Sequence, residues 1–283
     1  TPQRLAETLG KNEVVWIVED FHKVKNEEKI KLSQILKVFM DTANLYKKVK
    51  IICIGAVATA RELVQYDSDL SNRVAELHVP LLEEDELKKI IRTGFSYLNT
   101  KERNSEVIDN IVKYSNRLAS VCHRICYDIC NNKKIKKRSR TTIMLNEIDV
   151  NNAVFSYIKT VSDTFNRQYE KATALRNGKQ LLIDFIDSEC ESFSPSNHNA
   201  EQNIAVVKDN ERICKIFGTS DYGEILRYNS DAETYSFSSP FFEAFLKMKV
   251  SMEKKEEEIK RRNRNIKRTI KEDLFDDAMY KEM

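Results

Sequence analysis

Two adjacent carboxylates, Glu19 and Asp20, close a run of five apolar residues, Val14 to Val18. A short β-branched run without alternation reads as a buried strand of a parallel sheet. In open α/β sheets, ligands bind at the carboxyl ends of the strands. Neighbouring carboxylates repel, so a site in which both ionise needs a cation or a proton-transfer task. By position, Glu19 would hold Mg²⁺, usually through water. Asp20 would polarise the water that attacks a γ-phosphate. The plainer alternative is a strand end with solvated acids that cap the next helix. His22 follows in "EDFHK", either beside the phosphates or packed locally, and Phe21 reads as core.

Other residues invite chemistry less directly. Cys122, Cys126 and Cys130 lie four apart on one helical stripe, with His123 adjacent. Zinc sites draw ligands from more than one element, so closure from a single helix is hard and core packing is the expectation. "KKIKKRSR", residues 133–140, carries six cations: Lys133, Lys134, Lys136, Lys137, Arg138 and Arg140. It is either a phosphate-contacting patch or a solvated loop. The last 33 residues pair opposite charges at helical spacing and end in "DLFDDAMY", a mix suited to docking a partner protein.

The elements that must position these residues follow from periodicity. After the first strand, apolar residues recur at helical spacing from about Lys25 to Lys47, and "KIICIGA" (50–56) reads as a second strand. Strand, helix and strand suggest a right-handed crossover in a parallel sheet. "ARELVQY" predicts a short helix, and "AELHVPL" (75–81) alternates as a third strand would. Beyond Pro80 the pattern is helical. Ile225–Tyr228 and Thr234–Phe237 flank a polar turn, which predicts a β-hairpin after helices, as in a winged helix. Six glycines and four prolines in 283 residues, 32% of them charged, also favour helix.

The order "VVWIVEDFHK … KIICIGAVATARELV … DLSNRVAELHVPLLEEDELKKII … YSNRLASVCHRIC … YSFSSPFFEAFL" resembles the AAA+/STAND ATPases. It is nearest to bacterial ones that join an initiator-like core and helical lid to a winged helix, over most of residues 10–250. The resemblance implies that Glu19–Asp20 is a Walker B pair binding ATP or ADP with Mg²⁺. It implies that Arg73, in "DLSNRVAEL", is an arginine finger reaching a neighbour's γ-phosphate. Arg117, in "SNRLASVCHRIC", matches the lid's sensor 2 arginine, with Arg124 competing, and Thr59 is the nearest polar residue to sensor 1. Two departures stand out. The pair runs Glu then Asp rather than Asp then Glu, which suits a slow switch better than a motor. No G-x-x-x-x-G-K-[ST] loop occurs; "LGKN" (9–12) lacks its first glycine and its hydroxyl.

The sequence therefore predicts an α/β, mostly helical chain. Its parts would be a partial AAA+ core with parallel sheet (1–80), a helical lid (81–146), a connecting helix (147–176), a winged helix (177–250) and a charged helical tail (251–283). Because the phosphate loop is missing, the expectation is either a C-terminal piece of such an ATPase or a core that lost its nucleotide, and Thr1 as the first residue fits a natural chain that begins further upstream. The expected activity is an ATP-dependent switch in bacterial signalling or antiviral defence. The expected partners are a homo-oligomer or an effector protein. The alternatives are a DNA-handling ATPase of the initiator or transposition-regulator type, and a non-catalytic interaction module. A net charge of +3 argues against a wholesale nucleic-acid coat. No apolar run reaches a membrane span, no leader is evident, and six cysteines suggest reduced thiols in a cytoplasm.

Overall fold

Thr1 caps the first helix, α1 (Pro2–Lys11), accepting a hydrogen bond from the Arg4 amide, with proline in the opening turn where its missing N–H costs nothing. The computed structural model describes residues 1–19, 26–55, 73–77, 79–188, 192–194, 204–230 and 232–281. Contacts divide the chain into two units, Thr1–Pro80 and Leu81–Met283.

In the first unit, β1 (Val15–Val18) pairs in parallel with β2 (Lys50–Cys53), and α2 (Asn26–Thr42) crosses between them. Leu32 and Leu36 of α2 pack with Val18, Ile51 and Cys53, and Trp16 meets Phe39 at 5.5 Å between ring centroids. The helix therefore runs antiparallel to the strands. The parallel pair matches expectation, but full burial does not. The strands alternate: Trp16 and Val18 face α2, while Val15 and Ile17 are 46% and 53% exposed. The crossover helix covers one face, and no described residue seals the other. The predicted third strand is also absent from the described part of 75–81. Leu77 and Val79 are 86% and 80% exposed there, so alternation in sequence met no neighbouring strand to pair with. The predicted helix "ARELVQY" lies outside the described residues.

The second unit is mostly helical: α3 (Glu84–Leu98), α4 (Glu106–Ser115), α5 (Ala119–Asn132), α6 (Glu147–Thr160), α7 (Ser162–Ala174), α8 (Gly178–Asp187), α9 (Ile204–Phe217) and α10 (Pro240–Lys281). A short parallel pair, β3 (Thr100–Glu102) with β4 (Ile143–Leu145), sits among the first helices. The predicted hairpin is present as antiparallel β5 (Leu226–Asn229) and β6 (Thr234–Phe237). Leu87, Ile91, Ile111, Ile125 and Val154 share one contiguous core with Leu182, Phe217 and Phe245. The single helix expected over 147–176 is two, broken at Val161, and the boundary expected at 250 falls inside α10.

Asparagine does the work that glycine does elsewhere. Asn99 and Asn116 end α3 and α4 in the left-handed conformation, with φ of 56° and 48°. At the start of α6, Asn146 accepts from the Asp149 amide at 3.2 Å and Asp149 accepts from the Asn146 amide at 2.9 Å. This reciprocal cap satisfies two of the donors that the turn would otherwise leave orphaned. Asn146→Ala is expected to lower stability by about 1 kcal/mol, and Asn146→Ser to restore most of it, in urea unfolding followed by circular dichroism. Equal losses in both variants would remove the cap as the cause.

Candidate functional site

β1 and β2 end level with each other. The Ile54 amide donates to the Val18 carbonyl at 2.8 Å, so Glu19 and Ile54 emerge side by side at the strands' carboxyl edge. Glu19 is exposed there. Its predicted partners Asp20, His22 and Thr59 lie outside the described residues, as does Phe21. One free carboxylate at this edge fits a magnesium site, since Mg²⁺ takes one or two carboxylates and completes its shell with water and phosphate. Among the described residues no cluster of three metal-ligating side chains forms. "LGKN" offers no phosphate cradle. Gly10 and Lys11 are the last turn of α1, and Gly10 lies against the Tyr46 ring so closely that a Cβ would overlap it.

Arg73 is placed away from Glu19. Its guanidinium donates to Asp41 at 2.8 Å, and both side chains are about half exposed. Asp41 lies near the C-terminal end of α2, whose first turn follows Glu19's strand. At ~1.5 Å of rise per residue, Arg73 is held on the order of 20 Å along the helix from that end. The structure does not bring Arg73 to its own chain's Glu19.

In the second unit, Arg117 adopts φ of 62° in the α4–α5 loop. Its Nε donates to the Leu82 carbonyl at 3.0 Å and its terminal nitrogen to Glu83 at 2.7 Å, while the Leu82 amide donates to the Arg117 carbonyl. The residue ties the entry of α3 to this loop. Arg124 donates to Asp128 at 3.0 Å and to Thr160 at 3.3 Å. Asp128 is 5% exposed, so Arg124 neutralises a buried carboxylate.

Cys122 is fully buried in the core, as a small hydrophobe would be, and Cys126 and Cys130 are partly covered. A hydrogen bond with Cys122, then burial, holds the Cys126 thiol far above its usual range, which makes it a poor nucleophile. In the basic run, Lys133 turns to Asp149 at 3.0 Å, while Lys134, Lys136, Lys137, Arg138 and Arg140 are exposed.

Two features escaped sequence reasoning. Three-residue strands are too short to show a period, so β3–β4 left no trace. An open cleft of about 670 Å³ lies between α9 and the hairpin, lined by Glu211, Cys214, Arg227, Tyr228, Glu233 and Tyr235. Burial raises the Cys214 thiol to about 12, leaving it protonated at neutral pH. The hairpin's one arginine, Arg227, donates across the strands to Ser236 at 3.0 Å. In comparison with known proteins, no family model matches the chain and no curated protein matches it significantly.

Proposed function

We propose that the chain is part of an AAA+/STAND-type P-loop ATPase acting as a slow, ATP-dependent switch. The observation that carries this reading is the β1–α2–β2 crossover. It is a parallel pair whose strands end level, with Glu19 at the carboxyl edge where such sheets bind ligands. The half-exposed outer face of the pair supports it too, because parallel sheets are covered on both faces and further elements of a nucleotide core would supply the cover. Glu19 would hold Mg²⁺ through water, the ion would supply charge neutralisation for the nucleotide, and Asp20 would take the proton from the attacking water. Arg73, directed away from Glu19 of its own chain, completes a neighbour's site, which makes turnover depend on oligomerisation. The helices and hairpin after residue 177 serve as a winged helix that moves with the nucleotide state. Bacterial signalling or antiviral defence is the setting that the family resemblance implies.

The test is Asp20→Asn in the whole protein as its gene encodes it. Turnover is expected to fall by about 10²–10⁴-fold, with ATP affinity unchanged. Unchanged turnover would remove Asp20 from the mechanism. A whole protein that binds no nucleotide would make the chain an interaction module instead.

A further inference from the structure

The α5–β4 loop presents cations without counter-charges. No acidic residue occurs between Asp128 and Glu147, and that stretch holds six lysines and arginines. Lys133 is taken by Asp149. Lys134, Lys136, Lys137, Arg138 and Arg140 are exposed, and none forms an ion pair with a described residue. Elsewhere in the same unit cations find partners, as in Lys88–Asp109, Lys179–Glu253 and Lys255–Glu147. Five like charges within seven residues repel one another, so the cluster opposes its own compaction unless a polyanion relieves it.

A merely solvated loop would have little reason to be held in shape, yet this one is pinned along its length. Ile135 is 9% exposed, and its amide donates to the Cys130 carbonyl at 2.8 Å. The Ser139 amide donates to the Leu98 carbonyl, and the Asn99 side chain donates to the Ser139 carbonyl, each at 3.1 Å. These bonds set the loop against the C-terminal end of α3. There Tyr97 is 70% exposed. Past that end, β3 exposes Lys101, which is in register with the half-exposed Met144 of β4. An ordered row of cations, held against a helix end that also carries an uncovered aromatic ring, has the composition of a single-strand binding surface. Cations track the phosphates, and the ring stacks on a base regardless of its identity.

We propose that this face, formed by the 134–140 loop, Lys101 and Tyr97, binds single-stranded nucleic acid. The inference is independent of the nucleotide site, which lies in the other unit. The probe is a fluorescein-labelled single strand of mixed sequence, about 20 nucleotides long to exceed the ~4–16 that one compact site covers. Binding to the full chain is followed by anisotropy. With the five loop cations and Lys101 on phosphates, affinity is expected to fall about three-hundredfold between roughly 50 and 200 mM salt. With Lys136→Ala and Lys137→Ala combined, it should fall only about fiftyfold. Tyr97→Ala is expected to weaken binding about tenfold, and Tyr97→Phe to leave it nearly intact. All three side chains are exposed, so circular dichroism spectra should match throughout. The proposal is overturned by absence of binding, or by a salt dependence that the double substitution does not change. It is also overturned by tighter binding of duplex than of single strand together with a silent Tyr97→Ala.

Discussion

Replacing Arg73 with alanine is expected to leave the chain folded and to cut ATP turnover by about 10³–10⁵-fold, the range over which an arginine finger acts. The stability half follows from the geometry. Arg73 meets Asp41 on the surface, with side chains 48% and 59% exposed, and such pairs contribute at most about 1 kcal/mol. The turnover half follows from the proposed function, in which the guanidinium neutralises charge on a γ-phosphate held by another copy. A purely tethering arginine predicts something else: Asp41→Ala would reproduce whatever Arg73→Ala does. Under the finger reading Asp41→Ala keeps its turnover. Mixing Arg73→Ala with Asp20→Asn provides a second check. Each variant is inactive alone, but a mixed assembly contains some sites with an intact Asp20 facing an intact Arg73. Recovery of part of the lost activity on mixing is expected. Equal loss in Arg73→Ala and Asp41→Ala, with no recovery, would return Arg73 to the surface.

Phe245→Ala is expected to destabilise the second unit by about 3–5 kcal/mol, a large share of the ~5–15 kcal/mol that holds a typical domain together. Phe245 is fully buried. Its ring centroid lies 5.6 Å from Phe165 of α7 and 6.1 Å from Phe242, one turn earlier on α10, while Phe165 meets Phe242 edge-on at 5.7 Å. Truncation removes the transfer energy of the ring and leaves a cavity that two helices must collapse to fill. It also removes ring-to-ring contacts worth about 0.5–1.5 kcal/mol each. Phe241, nearby on the same helix but 42% exposed, is the internal control: Phe241→Ala should cost under about 1 kcal/mol. Urea midpoints for the two variants measure the difference. Comparable shifts would mean that the start of α10 is not anchored by this cluster.

The elements legible in the sequence were those whose signal is local. The hairpin at 226–237 announces itself by two β-branched and aromatic runs around a polar turn, and it forms where expected to within a residue. The parallel pairing of β1 with β2 follows from a helix-length connection that forbids a tight turn between them. The burial of Cys122 follows from its place on an apolar helical stripe. Other readings failed where the deciding partner is distant in sequence. The segment at 75–81 alternates as a strand does, yet a strand exists only if a neighbour accepts its hydrogen bonds. Val15 and Ile17 have a core strand's composition, but burial depends on what covers each face.

Residue type and spacing by themselves determined the mostly helical character, the crossover, the hairpin and the two charge features, the paired acids and the basic run. These depend on backbone preference and on period, which a short window contains. Only the tertiary structure decided what each charge does. It tied Lys133 to Asp149, Arg117 to the entry of α3 and Arg73 to Asp41, and it left Lys134, Lys136, Lys137, Arg138 and Arg140 exposed on a loop bonded to the C-terminal end of α3. A side chain's charge is written in the sequence. Whether that charge is spent inside the fold or offered outside depends on which acid lies within a few ångströms, and chain folding sets that distance.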